Sequence, residues 1–548
     1  MNYLERMPKV LHQNCKGGKW DRENKIREAL SECVHLAGQG KKAARIGPAW
    51  RMEEAFGSSN EATREHVISV FSEAERKCMQ DLHKVDQICP EYYGEYTIAL
   101  QLVRLNATKS PAKAKSILFN PGGPGESGIE HTPTTGQDIH DGTGRTIPFS
   151  CRSNNNLARR EDELDELAWP MVDTWPSFKE QGWANVGHIA DQCFNLQQKY
   201  GRYIGTVATA RDMLAIVNAL GEDGQLRYWG ISYGTMLGQV FASMFPGRVN
   251  RMVLDGNVMI DDYVSDAGIK SFRNSNKAFH HFLDQCYQEP KFSQLREAIN
   301  DAFKNMLGVE SLDPNEVLDP QNLNRSGLER FLKAKKHILK GLHSVDGFLT
   351  VLHTIKESIL PYKTKRELPE LQEQEGLRGS SPPWNQGLDA QVGIHCSDSS
   401  DLRVDIPEDL YAIIRAHTAQ SSFGDIGGPP ELKCARWKFD AIEQVNTTLL
   451  RKVTTSFPIL ITNGKYDPIT PLDSAWEVSH RLRGSRVLVH DGVGHSVIQH
   501  PSKCTYQFIR DYFTDGTMPE LGTVCKADTP PFKLAYERLF KRYKNKEN

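Results

Sequence analysis

The sequence predicts an α/β fold with a mostly parallel central sheet, helices on both faces and a helical insertion. Apolar runs typical of buried strands alternate with segments of helical periodicity over residues 206–256 and again over 457–492. Residues 257–395 break that alternation and hold several helical stretches. Of the 548 residues, 39% are hydrophobic and 25% charged, which is ordinary globular composition.

The individual elements follow from periodicity and from the residues that end each run. Strands are expected where β-branched and other apolar residues cluster, at residues 96–105, 116–120, 226–232, 251–256, 457–464 and 485–492. Helices are expected at residues 60–88, 206–220, 235–245, 277–287, 294–306 and 327–342. The short strand–helix–strand spacing around residue 232 favours parallel pairing.

Four regions can be separated along the chain. They are a polar, helical N-terminal region (1–90), the first part of the α/β core (91–256), the helical cap insertion (257–395) and the second part of the core (396–548).

The charge balance and composition exclude several classes of function. Lys plus Arg number 67 against 69 for Asp plus Glu, and this net charge of −2 gives no basic footprint for nucleic acid. Apolar runs long enough to span a membrane are absent, as are Cys and His pairs at metal-ligand spacing. We therefore expect no metal, no organic cofactor, no membrane span and no obligate protein partner.

The pentapeptide Gly230-Ile231-Ser232-Tyr233-Gly234 is the strongest chemical signal. A strand-like run enters this G-x-S-x-G motif and a helical run leaves it, as a nucleophile elbow requires. An ordinary serine in a strand-to-helix turn is the alternative. The context favours an α/β-hydrolase fold with Ser232 as nucleophile.

An acid and a base should follow this serine at the ends of later strands. Asp467 lies in ITNGKYDPITP and is predicted to be the acid, although Asp-Pro also favours a simple turn. Asp255, at the end of an earlier strand, is the competing acid. His495, on a glycine-flanked loop after the last predicted strand, is expected to be the base. His490 still lies on that strand, and His500 precedes a proline.

The loop NPGGPG at residues 120–125 directly follows a predicted buried strand. Such a loop can offer a backbone N–H to a developing oxyanion, and we expect Gly123 and Tyr233 to supply the two donors. A phosphate-binding loop is the rival interpretation, but its characteristic Lys and Ser or Thr are absent.

Together, NPGGPGESG, YWGISYGTMLGQVFASMFPGRVNRMVLDG, ITNGKYDPITP and DGVGHS resemble the tripeptidyl-aminopeptidase-like (TAP-like) branch of the α/β-hydrolases, which is related to prolyl aminopeptidases. The likeness covers roughly residues 95–128, 143–256 and 390–530. It implies the same triad and an enzyme that removes residues from peptide N-termini. It also implies disulfides, for which Cys151–Cys193, Cys396–Cys434 and Cys504–Cys525 are the family-like pairs.

The chain departs from the family pattern in three places. The segment GQDIHDGTGRTIPFSC lacks the usual apolar strand and its Asp-Pro-Arg-Gly ending, so residues 129–142 should form a substitute strand or leave a poorly stable product. The helical region 1–90 replaces the usual strands and export signal. No signal peptide is visible, which favours the cytoplasm, whereas the cysteines favour secretion, so localisation stays open.

The third departure is Glu126, which stands where glycine is common in the family. A carboxylate near the nucleophile could bind a substrate's protonated α-amine, whereas the plain alternative is a solvated glutamate.

Three functions remain open at this stage. The leading hypothesis is a serine hydrolase that releases short N-terminal fragments from peptides. An esterase, thioesterase or amide hydrolase acting on a small metabolite would use the same triad, because substrate choice lies in the cap. A non-catalytic binding protein on the same fold is the third.

Overall fold

The computed structural model describes residues 114–126, 137–138, 171–265, 268–286, 291–313, 316–363, 388–426 and 432–547. Contacts divide the chain into two compact units. One comprises residues 117–144, 148–210 and 226–548 and contains the strands and the candidate site. The other includes residues 211–225, where the Glu222 carboxylate accepts hydrogen bonds from the backbone N–H and the hydroxyl of Ser116. The predictions for residues 1–113 and for Cys151 lie outside the described residues.

A seven-stranded sheet forms the centre of the larger unit, and every pairing within it is parallel. The strands are β1 (Leu118–Asn120), β2 (Gln137–Asp138), β4 (Leu226–Ile231), β5 (Val249–Asp255), β7 (Leu460–Tyr466), β8 (Arg486–Val493) and β9 (Val524–Lys526). Their order across the sheet is β2-β1-β4-β5-β7-β8-β9. Two further short strands, β3 (Met171–Val172) and β6 (Val317–Leu318), pair separately.

Helices connect the strands and build the insertion. Between β3 and β5 the chain forms α1 (Trp175–Ser177), α2 (Trp183–Leu196), α3 (Thr206–Ala219) and α4 (Tyr233–Met244). The insertion contains α5 (Ile260–Val264), α6 (Ser275–Cys286), α7 (Lys291–Leu307), α8 (Arg325–Leu342), α9 (Gly347–His353) and α10 (Leu388–Asp398). The rest are α11 (Tyr411–Thr418), α12 (Leu472–Arg481), α13 (Lys503–Asp515) and α14 (Pro531–Glu547).

The two faces of the sheet are covered by different helices, as alternating side chains on a buried strand require. On one face Val253 of β5 packs in a buried cluster with Ile509 and Tyr512 of α13. On the other face Leu254 lies so close to α4 that a Cβ on Gly238 would be 2.6 Å from its Cδ2.

The cap helices share a large buried apolar cluster, which also includes Val493 of β8 and Ala535 of α14. Aromatic and aliphatic side chains of α6, α7, α8 and α9 form one cluster, centred on Phe282, Phe303, Phe331 and Phe348. The Phe303 and Phe331 rings meet edge to face at 4.7 Å. The three helices predicted from periodicity in this region are present.

Two sequence expectations come out differently in detail. Within residues 129–142 the structure describes Gln137 and Asp138, which form β2 and pair with Leu118 and Phe119 at the edge of the sheet. At these two residues the chain therefore forms a strand beside β1, and the rest of the predicted substitute lies outside the described residues. Strand β9 was missed, because its three residues, Val-Cys-Lys, alternate exposed and buried and carry no strong pattern.

Candidate active site

Ser232 occupies a strained turn between β4 and α4. Its backbone has φ 56° and ψ −122°, a left-handed conformation that costs a non-glycine residue about 1–3 kcal/mol. The flanking glycines make the turn sterically feasible. A Cβ on Gly230 would lie 2.3 Å from the carbonyl oxygen of Gly234, and one on Gly234 would lie 2.8 Å from that of Asn120. This geometry confirms the predicted strand–turn–helix context of the serine.

The loop after β1 packs directly against this turn. Gly122, at φ 102°, leaves no room for a side chain, since a Cβ there would lie 2.8 Å from Ser232 Cβ and 3.2 Å from the backbone nitrogen of Tyr233. The Gly122 N–H donates to Asn120 Oδ1 at 3.0 Å. Because this bond occupies the Gly122 N–H, we do not expect Gly122 to donate to an oxyanion. Gly123, the next residue, is exposed.

Asp467 and His495 form a close pair at the carboxyl ends of β7 and β8. His495 Nδ1 lies 3.1 and 3.0 Å from the two carboxylate oxygens of Asp467. The carboxylate is fully buried and accepts further bonds from nearby donors, namely the N–H groups of Ile469, Thr470 and Ser496 and the Thr470 hydroxyl. So many donors favour the ionised acid.

The electrostatics of this pair suit an acid and a base. Burial alone would raise the pKa of Asp467, but the His495 charge and the hydrogen bonds outweigh it and hold that pKa below its usual value. For His495, burial acts to lower the pKa, and the Asp467 carboxylate outweighs it and raises that pKa above 6.5. An ionised Asp467 at this position favours a protonated His495 imidazole.

The carboxyl end of β5 lies between the Ser232 turn and the Asp467–His495 pair. The Ser232 N–H donates to the carbonyl oxygen of Asp255 at 2.9 Å. At the following residue, Gly256, a Cβ would lie 3.5 Å from Asp467 Oδ2 and 3.5 Å from His495 Cε1. The serine turn and the acid–base pair therefore flank the same glycine.

Asp255, the competing acid, has a different partner. Its carboxylate accepts the N–H of Val497, two residues beyond His495, at 3.0 and 3.3 Å. Burial raises the pKa of Asp255 to about 7, despite that bond. Asp255 thus holds the loop that carries His495, whereas Asp467 contacts the imidazole itself.

The other two histidines considered serve the fold around β8. His490 Nδ1 lies 3.0 Å from the Thr505 hydroxyl, and burial lowers its pKa to about 4. His500 Nδ1 accepts the N–H of Val493 at 3.2 Å, and its Nε2 donates to the Thr529 carbonyl oxygen at 2.6 Å. Their hydrogen bonds therefore lie outside the acid–base pair.

Glu126 is exposed and lies beside the proposed oxyanion donor. A Cβ on Gly123 would be 3.3 Å from Glu126 Cγ, and the Glu126 N–H donates weakly to the Gly122 carbonyl oxygen at 3.4 Å.

Two residues at the site were not anticipated from the sequence. The Thr470 hydroxyl lies 2.7 Å from Asp467 Oδ2 and 3.1 Å from His495 Nδ1, so it contacts both side chains of the pair. Its position three residues after an aspartate, in DPITP, was a usable signal. The second residue is His343, just after α8. Its carbonyl oxygen accepts a hydrogen bond from the backbone N–H of His495 at 2.8 Å. Its ring lies 5.9 Å from that of His495, and burial lowers its pKa to about 4. Nothing local in the sequence indicates this cap contact.

Two family models match the chain. One, described as the alpha/beta hydrolase fold, matches residues 99–326, and the other, described as a TAP-like protein, matches residues 420–525. The chain is a TAP-like serine hydrolase of the α/β-hydrolase superfamily. The second match covers β7, β8 and the first two residues of β9 of this TAP-like hydrolase, with both Asp467 and His495.

Relatives of this TAP-like hydrolase carry names of peptidases. It is 28% identical over 462 residues to the serine protease Hip1 of Mycobacterium tuberculosis, covering 78% of this chain and 83% of that protein. It is 23% identical over 480 residues to the tripeptidyl aminopeptidase of Streptomyces lividans, covering 80% and 82%. Among solved structures, an α/β-hydrolase enzyme from a Medee basin deep-sea metagenome library aligns with 12% identity and a TM-score of 0.28, covering 78% and 98%.

The described part of the chain contains no cluster of three or more metal-ligating side chains and no helix that could cross a membrane.

The predicted disulfides Cys396–Cys434 and Cys504–Cys525 are both formed. Cys193 is disulfide-bonded as well, and its expected partner lies outside the described residues.

Proposed function

We propose that this TAP-like hydrolase releases short fragments from peptide N-termini through an acyl-enzyme on Ser232. The observation that carries the proposal is the pair of buried Asp467 and partly exposed His495, which lies beside Gly256 next to the strained serine turn. The names of the peptidase relatives favour an amide substrate.

In the first half-reaction, Ser232 Oγ attacks the scissile carbonyl carbon while His495 Nε2 takes the hydroxyl proton. The carbonyl oxygen becomes an oxyanion, which the N–H groups of Gly123 and Tyr233 stabilise. The C–N bond then breaks, and His495 returns the proton to the leaving amine. Asp467 accepts a hydrogen bond from His495 Nδ1–H throughout and remains ionised.

In the second half-reaction, water replaces the amine. His495 takes a proton from the water as its oxygen attacks the acyl carbon, and the same oxyanion donors act again. Breaking the ester bond restores the Ser232 hydroxyl with the proton from His495. The products are a short peptide with a free carboxylate and a shortened peptide with a new N-terminus.

A panel of aminoacyl, dipeptidyl and tripeptidyl fluorogenic amides, run beside short-chain esters, tests the substrate class. Amide turnover that requires a free α-amine is expected. If esters are turned over and every amide is inert, the peptidase proposal is wrong, and a small-metabolite esterase takes its place.

Ser232→Ala tests the nucleophile, with Ser243→Ala as the matched control. Ser243 lies on α4, partly buried, and its hydroxyl donates to the carbonyl oxygen of Val240. Ser232→Ala should abolish fluorophosphonate labelling and lower kcat by roughly a millionfold, whereas Ser243→Ala should keep both. Near-normal turnover by a folded Ser232→Ala enzyme would overturn the mechanism.

A further inference from the structure

A buried chain of polar groups lies behind the serine turn. The Tyr233 hydroxyl contacts the Thr206 hydroxyl, which in turn donates to Asp398 Oδ2 at 2.5 Å. The Thr206 N–H donates to Asp398 Oδ1 at 2.8 Å. Because the single hydroxyl proton of Thr206 is committed to Asp398, the Tyr233 O–H must be the donor to Thr206. All three side chains are almost completely buried.

Asp398, at one end of this hydrogen-bonded series, lies on a firmly held segment. Asp398 is the last residue of α10, and Cys396 on the same helix is disulfide-bonded to Cys434. The carbonyl oxygen of the neighbouring Ser397 accepts a bond from Gln444 Nε2 at 3.3 Å. Asp398 is therefore a fixed acceptor rather than a side chain that adapts to Thr206.

Tyr233, at the other end of the hydrogen-bonded series, directly follows the proposed nucleophile. Tyr233 is the first residue of α4, and its backbone N–H is one of the two proposed oxyanion donors. Strained backbone such as that of Ser232 persists only where the surroundings over-determine it. Anchoring the Tyr233 side chain restrains the adjoining peptide and hence the direction of that N–H.

We propose that Thr206 and Asp398 are positioning residues for the oxyanion hole, acting through the side chain of Tyr233. This inference rests on the proposed function, since it takes Ser232 as nucleophile and the Tyr233 N–H as donor. Neither Thr206 nor Asp398 contacts the reacting atoms. Their effect is to keep one donor aimed where negative charge develops, which lowers the transition state more than the ground state.

A purely structural role would give a different result. Asp398 also accepts the N–H of the first residue of α3, so it could serve only as a helix cap, whose loss lowers stability. A cap has no reason to change kcat in enzyme that remains folded. A misdirected oxyanion donor lowers kcat and leaves KM nearly unchanged, because it acts mainly in the transition state.

Thr206→Val is the primary test and Thr209→Val is its matched control. Thr209 is equally buried on the same helix, but its hydroxyl donates to the carbonyl oxygen of Gly205 and lies outside the chain. Thr206→Val should lower kcat at least tenfold, with KM changed less than about twofold, since losing a whole donor costs about 10²–10³. Thr209→Val should keep kcat within about twofold of the parent enzyme.

Two further variants keep the test decisive if Thr206→Val does not fold. Thr206→Ser retains the hydroxyl and should restore kcat to near the parent value. Tyr233→Phe removes only the phenolic hydroxyl and should reproduce the kcat loss of Thr206→Val. Thermal melting of each variant establishes that folded enzyme is being compared.

A tripeptide boronic acid provides a readout that a structural role would not change. Its tetrahedral adduct places an oxygen in the oxyanion hole, so Ki should rise by the same factor as kcat falls, while the tripeptide product should bind as before. Equal kcat and Ki for folded Thr206→Val, Tyr233→Phe and Thr209→Val would overturn the inference. That outcome leaves the proposed function intact if Ser232→Ala is inactive; an active Ser232→Ala enzyme would remove the basis of both.

Discussion

Two buried aspartates lie close to one histidine, and their hydrogen bonds assign them different tasks. Asp467 contacts His495 Nδ1 through both oxygens, whereas Asp255 accepts a backbone N–H two residues beyond it. The order of Ser232, Asp467 and His495 along the chain was enough to nominate these residues, because parallel strands end at one edge of the sheet. The support from Thr470 and His343 depends on packing between distant segments, which no local pattern reports.

Asp467→Asn should lower kcat about ten-thousandfold, because the imidazole would lose the partner that fixes its tautomer and stabilises its charge. Steady-state kinetics on the best amide substrate measure the effect, with Asp255→Asn as the control at the neighbouring carboxylate. A larger kcat loss in Asp255→Asn than in Asp467→Asn would transfer the acid role to β5.

The pH profile follows from the same pair. His495 must be neutral to accept the serine proton, and its pKa is raised, so activity should fall as pH drops through a value above 6.5. In the residual activity of Asp467→Asn this acid limb should move to lower pH, since the charge that raises the pKa is gone. A limb that stays in place would show that another group controls it.

Asp255→Asn should act on stability, in a direction fixed by linkage. The folded-state pKa of about 7 lies above the usual 3.8, so between about pH 4 and pH 7 the unfolded chain releases a proton that the folded chain retains. The contribution of Asp255 is therefore greatest below pH 4 and is lost as pH rises through 7. Asparagine can still accept the Val497 N–H without this penalty. In thermal melts at pH 5 and pH 8, the Tm of Asp255→Asn relative to that of the parent should increase at pH 8. A relative increase at pH 5 alone would contradict this.

Glu126 offers a test of how the substrate amine is recognised. The carboxylate is exposed and lies next to Gly123, where it can approach an amine bound near the oxyanion hole. Glu126→Gln should raise KM severalfold for free-amine peptides and spare N-acetylated or ester substrates. Glu408→Gln is a suitable control, since that glutamate pairs with Lys179 at the surface. If Glu126→Gln changes KM equally for both substrate types, or for neither, then Glu126 is a solvated glutamate that does not recognise the amine.

At the scale of elements, the long segments predicted within the described residues are present, whereas helices α2, α13 and α14, of 14, 13 and 17 residues, were not predicted. Helix α8 and strand β8 carry enough apolar residues to specify both type and position. Strands β2 and β9 have two and three residues, so the sheet they join stabilises them rather than their own sequence. The disulfide pairs came from the family resemblance, since cysteine spacing alone leaves many connectivities open.

At the scale of the whole chain, the predicted division at residue 395 gives only part of the organisation. Helix α10 runs from Leu388 to Asp398 and crosses that boundary. No strand of the main sheet occurs in the described residues between it and β7. Phe423 and Ile426, well beyond the division, pack in the buried cluster shared by the cap helices. That buried cluster therefore takes in residues from beyond the predicted boundary, including Val493 of β8 and Ala535 of α14.

A buried ion pair joins these separate parts of the chain. Lys335 of α8 and Asp425 are both fully buried, with Nζ 3.3 Å from Oδ2. Asp425 Oδ2 also accepts the N–H of Val172 in β3 at 2.7 Å. Three segments far apart in sequence thus meet at one carboxylate, whose pKa burial raises despite the opposing charge of Lys335.

Lys335→Met should destabilise the molecule by about 3–5 kcal/mol, because it leaves a buried carboxylate without its counter-charge. The loss should be greater at pH 8 than at pH 5, since at lower pH Asp425 can take up a proton instead of remaining charged. Lys335→Met/Asp425→Asn should recover most of the stability at pH 8, because the amide is neutral and its oxygen can still accept the Val172 N–H. Urea unfolding at both pH values measures this, with Lys304→Met on α7 as the control, because that lysine is partly exposed and pairs with the exposed Asp301. If the double variant is no more stable than Lys335→Met at pH 8, the pair contributes through side-chain packing rather than charge.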